Sequence, residues 1–132
     1  MIRRRVQLKK SVRYETFSDG SSAMTVSICR ADLQSFLLEL LLLRDDLADC
    51  CAVDTEAGKF FITKHDSCSN FGTCDARNPE SVTVSLVTRE LDLICDFLLK
   101  YHRDGAPEVT HLDIELTSSG RRGVTLVVDA GT

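Results

Sequence analysis

Residues 24–42, MTVSICRADLQSFLLELLL, alternate at first and then change period. Met24, Val26 and Ile28 alternate with Thr25, Ser27 and Cys29, the period of two of a half-buried strand. From there Leu33, Phe36, Leu37, Leu40, Leu43 and Leu47 follow helical spacing, with Asp32 placed to suit the positive end of the helix dipole. Leu38, Leu41 and Leu42 widen the apolar stripe beyond one face, so this helix is deeply buried or has a second neighbour. Nearly the same line returns at residues 82–100, VTVSLVTRELDLICDFLLK. Thr25/Thr83, Val26/Val84, Ser27/Ser85, Leu33/Leu91, Leu40/Leu98 and Leu41/Leu99 are identical, and Met24/Val82, Ile28/Leu86, Asp32/Glu90 and Phe36/Ile94 keep their character without a gap. The match indicates an internal duplication.

The remaining pattern completes two similar units. In VQLKKSVRYETF, Val6, Leu8, Val12 and Tyr14 share one parity with Lys10 the exception, which predicts a strand bent near Lys10. The Asp-Gly turn signal in SDGSS folds it back onto residues 24–28. Two short strands, CCAVDT and KFFITK, flank EAGK. Residues 65–80, HDSCSNFGTCDARNPE, have no period and many breakers and are expected to form a long connecting loop. In the second half Val82, Val84 and Leu86 alternate, and Leu91, Ile94, Cys95, Leu98 and Tyr101 or His102 form a helix stripe. Thr88 is the expected N-cap, and Gly105 and Pro107 stop the helix. Leu112, Ile114 and Leu116 then alternate with His111, Asp113 and Glu115, and SSGRRG turns the chain into VTLVVD. The expected fold is α+β: internally duplicated strand–helix–strand–strand units in a mostly antiparallel sheet, with both helices on one face. One domain of two pseudo-repeats, residues 12–64 and 81–129, is joined by the loop over 65–80.

Composition agrees with one cored domain: 132 residues, 43% hydrophobic and 27% charged. The basic start MIRRRVQLKK has no apolar run behind it, so no signal peptide is expected, and a frayed basic terminus is the expected state of Arg3–Arg5. FLLELLLL falls far short of the roughly 20 residues of a membrane span. These features point to a cytoplasmic protein whose cysteines, Cys29, Cys50, Cys51, Cys68, Cys74 and Cys95, stay as thiols. Residues 1–17 hold six bases and one acid, leaving a net charge of −9 on the other 115 residues and −4 overall. An acidic body argues against nucleic acid as the partner and suits a basic one.

Candidate chemistry is sparse. His65, Cys68 and Cys74, with Asp66 and Asp75, lack the paired spacing of a structural zinc site. His111, Asp113 and Glu115 put ligand-type side chains on one strand face, but no second motif converges on them. There is no Gly-x-Ser-x-Gly, phosphate-binding glycine loop, His-Glu-x-x-His or dinucleotide fingerprint, so no enzyme, cofactor or metal is expected. Aromatic residues are 6% with no Trp, which is poor for stacking bases. The feature that stands out is RDDLADCCAVDTEAG, which carries Asp45, Asp46, Asp49, Asp54 and Glu56 at a helix C-terminus, where acids oppose the macrodipole. The second copy, KYHRDGAPE, does not repeat it. Asp66, Phe71 and Asp75 of the long loop can extend the same surface, with Phe71 as an aromatic anchor.

The stretch SLVTRELDLICDFLL, followed by THLDIELTSSGRRGVTLVV, resembles small immunity proteins of bacterial contact-dependent and polymorphic toxin systems. The resemblance covers Ser85 to Val128 and rests on a strand, an amphipathic helix, an HLD-like strand and a Val-rich final strand. It implies a cytoplasmic, non-catalytic inhibitor of a cognate toxin protein, often a basic nuclease. No toxin-binding residue carries over. The alternative is a regulatory or adaptor domain that binds a protein or small ligand on its polar sheet face, and neither reading calls for a membrane.

Overall fold

In the computed structural model the backbone is described for residues 2–7, 12–18, 21–55, 58–65, 72–78, 81–105, 111–118 and 121–130. Strands β1 (Ile2–Gln7), β2 (Val12–Thr16) and β3 (Ser22–Ile28) lead into helix α1 (Arg30–Arg44). Strands β4 (Ala48–Thr55), β5 (Gly58–Lys64), β6 (Gly72–Asn78) and β7 (Ser81–Leu86) lead into α2 (Thr88–Asp104), and β8 (His111–Ser118) and β9 (Arg121–Ala130) close the chain. Both halves therefore run strand, helix, strand, strand: β3-α1-β4-β5 and β7-α2-β8-β9.

The fold is α+β, but its sheet is mixed, not mostly antiparallel. The strand order is β1-β4-β5-β7-β6-β8-β9-β3-β2. Antiparallel pairs β2·β3, β4·β5, β6·β7 and β8·β9 each join consecutive strands. The pairs between them, β1·β4, β5·β7, β6·β8 and β3·β9, are all parallel. Two other expectations fail. The segment read as a loop over 65–80 contains β6, which pairs with both β7 and β8. Arg3, Arg4 and Arg5 are not a frayed terminus: β1 lies along β4, in register with Cys50, Cys51 and Ala52.

One sheet face is apolar and both helices cover it. Met24, Val26, Ile28, Val82, Val84 and Leu86 join Ile114, Leu116, Val124, Leu126 and Val128 in one cluster with the helix residues. The register explains the shared face, because Met24 pairs with Leu126 and Leu126 with Ile114. From α1 the cluster takes Leu33, Phe36, Leu37, Leu40 and Leu43; from α2 it takes Leu91, Ile94, Cys95, Phe97, Leu98 and Tyr101. Leu33/Leu91, Phe36/Ile94 and Leu40/Leu98 are pairs that matched in sequence, whereas the matched Leu99 is exposed. Each fully buried leucine contributes roughly 1.5–3 kcal/mol. The helices run antiparallel: Arg44 Nη1 at the end of α1 donates to Asp92 Oδ1 near the start of α2 at 3.4 Å. At the other end Arg30 Nη1 donates to the Gly105 carbonyl at 3.0 Å, its guanidinium 5.9 Å from the Tyr101 ring.

The helix ends differ from expectation by one residue at the start of α2 and by three at the end of α1. Val87, extended at φ −79 as Cys29 before α1 is at φ −81, caps α2, with Thr88 as the first helical residue. Only half of a capping box forms: the Val87 N–H donates to Glu90 Oε1 at 3.1 Å, and valine has no side-chain acceptor to reciprocate. Leu47 lies outside α1 and is 61% exposed, so it does not belong to the buried stripe.

The two edge strands, β1 and β2, are close neighbours in sequence. Nine flat strands would hold the edges about 38 Å apart at about 4.8 Å per step. The five Cα steps from Gln7 to Val12 reach at most about 18 Å. The sheet must therefore curl until its edges approach each other.

Candidate functional site

The acids singled out in the sequence begin where α1 stops. Arg44 is the last helical residue, and Asp46 takes a left-handed conformation at φ 61. The Asp46 N–H donates to the Leu43 carbonyl at 3.2 Å and the Leu47 N–H to the Leu42 carbonyl at 2.8 Å. This is a Schellman ending, with an aspartate where glycine is usual. Lys64, at the end of β5, holds it in place. Its Nζ donates to the Arg44 carbonyl at 2.9 Å and to both Asp46 carboxylate oxygens at 3.1 Å. A cation at the negative end of the helix offsets the acids that oppose the dipole.

Asp45 is exposed and accepts from Arg44 Nε at 3.2 Å. That bond, ahead of the nearby carboxylate charges, raises the Arg44 pKa above its ordinary value. Arg44 also reaches Asp92, which brings an α2 acid into the corner that sequence reading had missed. Asp49 is exposed on β4, at the position the β1 pairing skips between Ala48 and Cys50, a bulge at the sheet's outer edge. The corner thus joins Asp45, Asp46 and Asp92 to Arg44 and Lys64, three carboxylates to two cations, with exposed Asp49 four residues beyond Asp45.

The other candidates fall elsewhere. Asp54 lies five residues along β4 from Asp49, about 17 Å away at strand rise. Its backbone is in register with Gln7 and Lys59, and its side chain is outside the described residues. Asp75 is in β6, in register with Thr83, and its side chain is likewise outside them. β6 is three strands from β4, about 14 Å across the sheet, so Asp75 is not part of the corner. Glu56, Asp66 and Phe71 lie outside the described residues. The continuous acidic run of the sequence is therefore divided by the length of β4.

The open sheet face is polar. His111, Asp113 and Glu115 are exposed on β8, with His111 Nε2 3.9 Å from Asp113 Oδ1 and Glu115 accepting from Thr125 Oγ1 at 3.0 Å. Thr63 and Ser85 hydroxyls share a bond of 2.7 Å across β5 and β7. Among the described residues no three His, Cys, Asp or Glu side chains converge as a metal site. Burial pushes the Cys51 thiol up to about 12, with the Glu39 charge adding to the effect, and pushes Cys95 up to about 11. Such thiols pack as small hydrophobes. No helix among the described residues is long and apolar enough to cross a membrane.

No protein-family model matches this chain, and no curated protein is significantly similar to it.

Proposed function

We propose that this chain is a non-catalytic binding protein that captures a basic protein domain at the corner where α1 ends and α2 begins. In kind it is an immunity protein acting in the cytoplasm on a cognate toxin, as the resemblance of residues 85–128 implies. The observation that carries the reading is the meeting of exposed Asp45 and Asp92 on Arg44 at one end of the helix layer, with exposed Asp49 four residues further along the chain. Asp46 belongs to the same surface but also has a structural task, holding the helix end with Lys64. Carboxylates at the rim of an interface mainly accelerate encounter with a basic partner and exclude acidic ones.

Coexpression with the polypeptide encoded by the adjacent reading frame tests the function. Rescue of growth together with stoichiometric copurification supports it. A neighbouring product that neither inhibits growth nor binds contradicts it, and leaves the adaptor reading, for which the exposed His111, Asp113 and Glu115 offer a polar surface.

A further inference from the structure

We propose that Glu39 of α1 holds the edge strand β1 on the sheet as the buried counter-charge of Arg4. This fastening is separate from toxin capture and does not depend on it. Glu39 is 6% exposed, in a helix whose other buried residues, Leu33, Phe36, Leu37, Leu40 and Leu43, are all apolar. At the matching position of α2, 58 residues on, stands Phe97, part of the core cluster. α1 therefore carries a carboxylate where α2 packs a ring. Withdrawing a carboxylate from water is costly unless a cation or hydrogen-bond donors meet it, so the element that packs there has to supply them.

That element is β1. Arg30 and Arg44 mark the side of α1 that faces α2, through Gly105 and Asp92. At about 100° per residue Glu39 lies roughly 140° round the helix from Arg44 and about 180° from Arg30, on the opposite flank. Away from α2, α1 lies against β4 and against β1 outside it. The Glu39 charge acts on the Cys51 thiol, which fixes its level along β4. Cys51 belongs to the core cluster and is in register with Arg4. Residues alternate between the two faces of a strand, so position 4 falls on the helix-covered face of β1. Positions 3 and 5, level with Cys50 and Ala52, fall on the other face. One arginine of the three thus comes to the level and the face of the one buried carboxylate of α1. Among the described residues β1 has a single neighbouring strand, β4, and with β1 in place the β4 edge is closed to a strand of another chain.

Amide hydrogen exchange of the full chain, read residue by residue by NMR, tests this. Glu39→Gln should speed exchange in β1 at least about tenfold and leave β7 and β9 at wild-type rates. Arg4→Gln should do the same. The double variant should exchange no faster than the faster of the two single ones, as expected of groups that act as a pair. Arg5→Gln, one position along and on the other face, should leave β1 as it is in wild type. Unchanged β1 exchange in Glu39→Gln and Arg4→Gln, or effects that multiply in the double variant, would overturn the assignment. So would a Glu39→Gln variant that loosens β7 and β9 as much as β1, since the carboxylate would then support the core as a whole. If Glu39→Gln does not fold, Arg4→Gln against Arg5→Gln decides: equal effects on β1 contradict the pairing, and an effect of Arg4→Gln alone supports it.

Discussion

Asp46 shows how one residue can look like a site and also be a structural part. Its left-handed backbone costs an L residue about 1–2 kcal/mol, less for aspartate than for most others, and the bonds from Lys64 offset some of that cost. Asp46→Gly removes both the strain and the ion pair and should leave stability within about 0.5 kcal/mol of wild type. Asp46→Ala keeps the strain and loses the pair, costing about 1–2 kcal/mol by denaturant titration. The sequence showed that Asp46 was acidic and near a helix end; nothing local revealed the left-handed turn, which depends on a lysine 18 residues away. The thiols give a second residue-scale outcome. Folded Cys51 and Cys95 have pKa values raised above the ordinary 9.0, so the stability they contribute is complete below pH 9. It is lost as pH rises towards 11–12, where the unfolded thiols ionise and the folded ones resist. The thermal midpoint should fall over that window, and Cys51→Ala should flatten the fall. At neutral pH native protein should protect both from alkylation, while the partly exposed Cys29 reacts before either.

At the scale of elements, the helices and the hairpin pairs were legible and the parallel pairs were not. Every antiparallel pair joins strands adjacent in sequence, so turn signals such as Asp19-Gly20 announce it. Each parallel pair joins strands that are not consecutive, and no local pattern encodes which partner is chosen. β6 was missed because its alternation is carried by small residues: Cys74 and Ala76 stand between Thr73, Asp75 and Arg77, which carries too little contrast to register as a period. Leu47 was misplaced for the opposite reason, since helical spacing continues past a backbone stop that hydrophobicity cannot show. Leu47→Ser should therefore change stability by less than about 0.5 kcal/mol. Leu40→Ala and Leu98→Ala, at matching and fully buried positions of the two helices, should each cost about 2–5 kcal/mol. A large asymmetry between the last two would mean that the halves do not share the core equally.

For the whole molecule, the distribution of charge decides what the surface can do. The sequence suggested a basic arm hanging from an acidic body. The fold instead lays Arg3, Arg4 and Arg5 in an edge strand along β4 and gathers exposed acids where the helices meet. Asp45, Asp46 and Asp49 were legible because a short turn keeps them together. Asp92 was not, because it arrives through Arg44 from 48 residues away. Asp54 was wrongly grouped with them, because a strand carries it off. The most direct measurement is the association rate of the adjacent gene product with wild type and with the Asp45→Lys, Asp49→Lys, Asp92→Lys triple variant, at low and high salt. Asp46 is left intact so that the helix end is undisturbed. The expected result is an association rate at least about tenfold slower in the variant at low salt, with most of the salt dependence gone and the dissociation rate little changed. Unchanged association rates and salt dependence, in a variant that folds and still protects cells, would show that the corner is only solvated surface.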